Sequence, residues 1–95
     1  MERREYELAV DRFRRLVGPL PGWRVEERGG VAVLVDASDG GLLLRLDSRW
    51  NPHLARYFGS VDKDRLLGLV ALLEVVPSSG PAHRAAVSFL RSLRL

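Results

Sequence analysis

Three short stretches, the alternating residues 23–27 and the more apolar 31–35 and 42–47, are cut apart by Arg28-Gly29-Gly30 and by Ala37-Ser38-Asp39-Gly40. Runs of this length, bounded by glycine-bearing turns, read as strands. Connections of three or four residues join only antiparallel neighbours, so this stretch is predicted to be a three-stranded meander. The apolar pattern sets a register. A two-residue Gly29-Gly30 turn would pair Glu26 with Val33 and Arg24 with Val35, placing charge on the valine face. A three-residue loop pairs Val25 with Val33 and Trp23 with Val35, keeps that face apolar, and suits a type I turn with a G1 bulge. A four-residue second loop then pairs Val35 with Leu42, Val33 with Leu44 and Val31 with Leu46. On the opposite face Ala32, Leu34 and Leu43 form a small apolar island, with Arg24, Glu26, Arg45 and Asp47 at its rims.

Helical periodicity surrounds this sheet. Residues 2–17 place Tyr6, Ala9, Val10, Phe13, Leu16 and Val17 on one stripe, and Glu7 and Asp11 each stand four residues from an arginine. Gly18-Pro19-Leu20-Pro21-Gly22 ends that helix, glycine taking a left-handed cap. Asn51-Pro52 reads as an N-cap and first helical residue, opening a short helix to Phe58 with Gly59 as its stop. Ser60 or Asp62 caps a further helix over 63–76, which is apolar nearly all round and therefore buried or shared. Gly68 within it suggests that another backbone approaches closely. The last helix, over 81–93, carries Ala82, Ala85, Ala86, Phe89, Leu90 and Leu93 on its stripe. The expected fold is one α+β domain over residues 1–95: two layers, with an N-terminal helix, the meander, then a short helix and two C-terminal helices packed on one sheet face.

Composition excludes several functions. With no cysteine, disulfides, zinc-thiolate sites, iron–sulfur clusters and thiol catalysis are ruled out. The charged N-terminus lacks a signal peptide's apolar region, and the longest dense apolar stretch is far short of the ~20 residues a membrane span needs, so a cytoplasmic protein is expected. The net charge is only +3, which permits nucleic-acid binding without arguing for it. Arginine far outnumbers lysine, as GC-rich coding produces, and the scarcity of Asn, Gln, Cys and Met suits a thermophile.

Catalytic chemistry finds little here. The two histidines stand thirty residues apart, and no Gly-x-Ser-x-Gly elbow occurs. An enzyme using His53 with Asp47 or Asp62 would need a base, an orienting group and a pocket together. Asp36 and Asp39 are read as turn residues, since their spacing fits no calcium loop. No catalytic residue, metal or cofactor is expected.

Binding is the better prospect. Between Ser48 and Gly59, aromatics and cations crowd together. Arg49, Trp50, His53, Arg56 and Tyr57 suit a stacking and cation–π platform for single-stranded nucleic acid or a peptide. The same aromatics equally suit a cap over an open end of the core. The all-round apolar helix offers Leu66, Leu69, Val70 and Leu73, with Leu34 and Leu43 of the sheet, as a surface for a dimer or a protein partner. Arg84, Arg91 and Arg94 form a secondary basic face. The leading expectation is a non-enzymatic adaptor acting through protein association, as a homodimer or a subunit of a larger assembly. The alternative is a nucleic-acid-binding accessory protein using the surface at 49–57.

Overall fold

In chain order the elements are α1 (Arg3–Val17), β1 (Trp23–Arg28), β2 (Val31–Asp36), β3 (Leu42–Arg45), α2 (Asn51–Ser60), α3 (Lys63–Glu74) and α4 (Pro81–Ser92). This α+β arrangement comes from a computed structural model that describes residues 1–95. The chain forms two compact units, one from Met1–Pro19 with Leu67–Leu95 and the other from Leu20–Leu66.

The first unit is helical. Tyr6, Val10, Phe13 and Val17 recur every three or four residues along α1 and are buried, as the periodicity predicts, whereas Leu16, expected on the same stripe, is exposed. α4 contributes Ala86, Val87 and Leu90, and Phe13 meets Phe89 edge-on at 5.6 Å. Tyr6 carries a polar tip into this interior and satisfies it by donating to the Leu73 carbonyl. Burial pushes its phenol pKa up, and the nearby Arg3 charge only partly offsets this. Outside the core, Arg3 pairs with Glu7 at 3.0 Å and Arg15 with Asp11 at 2.9 Å, the spacings read from sequence. Arg14 bridges Asp11 and Glu74. α1 does not end on a left-handed glycine. Gly18 keeps right-handed helical backbone and its N–H still reaches Arg14 O; Pro19, lacking an N–H, ends the ladder.

The second unit is the meander, ordered β1-β2-β3 and antiparallel throughout. The first hairpin corrects the expected register. Arg28 pairs with Val31, Glu26 with Val33 and Arg24 with Val35, so the connection is the two-residue Gly29-Gly30 turn. Both glycines have positive φ, 60° and 80°, which only a type I′ turn requires at both positions and which matches the twist of the strands it joins. Charge does stand beside the valines, but it is neutralised there. Glu26 accepts from Arg24 and Arg28 on either side at 2.9 and 3.1 Å. Those arginines also donate to the Ala37 and Gly40 carbonyls of the second loop.

That loop is built by its aspartates. Asp36 accepts from the Ser38 N–H and hydroxyl, and Asp39 from the Gly41 N–H, the local turn chemistry that Asp supplies. The Ser38 hydroxyl, then its N–H, hold the Asp36 carboxyl below its usual range. Val35 pairs with Leu42 as expected, but Leu34 then pairs with Leu44, making Leu43 an extra, bulged residue. Leu34 is paired with Val25 and shares its face rather than an outer island. α2 lies against β1 and β2 on this side: Trp23 Nε1 donates to the Phe58 carbonyl at 3.0 Å, and Gly59 sits against Val25.

Candidate functional site

α2 takes its outward face from its own spacing. Its N-cap is Trp50, with no side-chain cap bond, one residue earlier than expected, and the helix runs through Gly59 to Ser60. Leu54, Ala55 and Phe58 turn inward and are half-buried, whereas His53, Arg56 and Tyr57 are exposed. Trp50, His53 and Tyr57, three and four residues apart, share one helical face. Trp50 is 54% exposed and Tyr57 57%. The Arg49 guanidinium lies 4.8 Å from the centre of the Trp50 ring, and the Trp50 and His53 rings are 6.2 Å apart. The five residues singled out in the sequence thus lie together, and Phe58 alone of this segment's aromatics contributes to the covered side.

The electrostatics of this face are one-signed. No acidic residue occurs from Ser48 to Val61. Arg24, Arg28, Arg45 and Arg65 of the same unit each meet a carboxylate, but Arg49 and Arg56 meet none. The carboxylates considered as partners for His53 are engaged elsewhere. Asp47 faces Arg45 at 3.6 Å, while Asp62 caps α3 by accepting the Arg65 N–H at 3.0 Å and pairs with the Arg65 side chain.

α3 offers a different surface from the one expected. Val70 and Leu73 are buried, and Leu66 and Leu69 are half-buried; Leu34 is buried within the sheet unit. Of the proposed interface set, only Leu43 is exposed. The helix turns outward Gly68, Ala71 and Leu72, and Val75 follows just past its end, with Leu72 61% and Val75 75% exposed. These four recur at i, i+3, i+4 and i+7, so they form a single stripe. That spacing was present in the sequence, but an apolar residue on every side hid it. Nothing lies within 4 Å of a Cβ built on Gly68, so no part of this chain makes the close approach expected there.

β3, an edge strand, leaves Leu42, Leu43 and Leu44 all exposed. On the helical unit Arg84, Arg91 and Arg94 are exposed without carboxylate partners, and Arg94 has left-handed backbone. His83 was not singled out. Its ring lies 5.5 Å from that of Tyr6, and its buried Nδ1 has no hydrogen-bond partner. No three His, Asp or Glu side chains gather as a metal-binding group would, and no helix is long and apolar enough to cross a membrane. No protein-family model, curated protein or solved structure matches this chain.

Proposed function

We propose that this protein is a non-enzymatic, cytoplasmic binding module, an adaptor or small subunit that works by associating with protein, in the simplest case a second copy of itself. The observation that supports the reading is the outward stripe of Gly68, Ala71, Leu72 and Val75. Solvent-facing apolar residues are ordinary when scattered singly, but contiguous ones mark interaction surfaces. Here four stand at the spacing by which helices pack together, and the stripe carries no charge to repel an apolar partner. The open space over Gly68 lets another backbone come close.

Sedimentation of the purified chain over a range of concentrations tests this. A reversible dimer is expected, and Leu72→Glu should abolish it. Because Leu72 is exposed, that variant should change the stability of the single chain by no more than about 0.5 kcal/mol, so loss of association would not reflect unfolding. A chain that stays monomeric throughout, or a dimer indifferent to Leu72→Glu, would overturn self-association through this stripe.

A further inference from the structure

We infer that the outer face of α2 is a binding site for single-stranded nucleic acid, distinct in chemistry from the apolar stripe of α3. The case begins with two exposed rings. A tryptophan and a tyrosine more than half exposed forgo burial that small domains ordinarily use. Stacking a flat ligand on them would recover it, and nucleobases have such faces.

Charge narrows the ligand further. Arg49 and Arg56 are the arginines of the sheet unit left without a carboxylate, and no acid lies among the fourteen residues around them. Arg49, already over the Trp50 ring, can reach an anion beside a base stacked on that ring. A polyanion carrying planar rings fits both demands; an aliphatic protein surface fits neither. Trp50 and Tyr57, seven residues apart along a helix, are separated by about 10 Å. That spans roughly two or three nucleotides, since stacked bases repeat every ~3.4 Å and splayed ones lie farther apart. Duplex ends aside, paired bases show only their edges, so the platform selects single strands.

The test is the full chain titrated into end-labelled oligouridylate, oligothymidylate and a duplex of equal length, followed by anisotropy, with tryptophan emission read in parallel. Both or either single strand should bind at low salt and outcompete the duplex, quenching Trp50. Trp50→Ala and Tyr57→Ala should each weaken binding roughly tenfold, from the ~1–3 kcal/mol a stacked base contributes, whereas Trp50→Phe should retain most of it. Arg49→Ala and Arg56→Ala should each lower the slope of log affinity against log salt by about 0.7. Circular dichroism identical to the parent confirms that the exposed substitutions leave the fold intact. If one of the two strands alone binds, the inference holds for that strand. Four results would overturn it: no binding at low salt, duplex bound as well as single strands, equal competition by polyglutamate, or binding that ignores Trp50 and Tyr57 and is lost with Arg84→Ala and Arg91→Ala.

Discussion

Glu26 carries the consequence of a register that hydrophobicity alone would have rejected. It accepts from Arg24 and from Arg28, and these two bonds, Arg24's first, hold its carboxyl below its ordinary value. A carboxylate whose pKa is lowered by folding stabilises the fold above its unfolded value, about 4.3, and that contribution is lost as pH falls through the folded value. A carbon-detected titration should place the Glu26 midpoint below the ~4.3 of an unperturbed glutamate, and Arg24→Ala should move it back up. An unshifted midpoint would mean that the three-residue ladder does not persist in solution. Because the group is exposed, its share of total stability is small; the titration reads the geometry rather than the energy.

Among the elements, α3 shows how far composition leaves a helix undetermined. Its leucines and valines cover every side, so no direction in the sequence marks an inner face. Packing made the choice, taking Val70 and Leu73 inside and leaving Gly68, Ala71 and Leu72 outside. Gly68 is then a helix interior position with nothing near it. At concentrations where the chain is monomeric, Gly68→Ala should stabilise the helical unit by about 1 kcal/mol, the difference in helix propensity, raising the melting temperature by roughly 4–8 °C. A lower melting temperature at higher concentrations would show that something outside the single chain holds that backbone. The sheet makes a similar point. The places of both turns were legible from their glycines, though not the length of the first, and α1 from its Arg3–Glu7 and Arg15–Asp11 pairs. Strand pairing was not, because ranking registers by an apolar face leaves out that Arg24 and Arg28 neutralise Glu26 beside the valines and that Gly29-Gly30 suits a type I′ turn.

For the whole molecule, the two proposed surfaces belong to different compact units and differ in chemistry, one aliphatic and uncharged, the other aromatic and cationic. The two surfaces have no residue in common, and substitutions without shared partners act independently. Trp50→Ala should therefore leave the dimer dissociation constant of the chain within about twofold of the parent, while abolishing its share of strand binding. A change in both would mean that the surfaces act as one.

The sequence by itself determined the α+β class, the number and order of elements, the places of the turns and the clustering of Arg49, Trp50, His53, Arg56 and Tyr57, because these follow from spacing and from local backbone chemistry. Only the tertiary structure decided which register the first hairpin adopts, which side of α3 is buried, and that Trp50 and Tyr57 face outward while Phe58 faces in. On α3 several sides are equally apolar, so no local pattern ranks them; in the hairpin the apolar ranking was overridden by ion pairs around Glu26 and by the turn geometry of Gly29-Gly30.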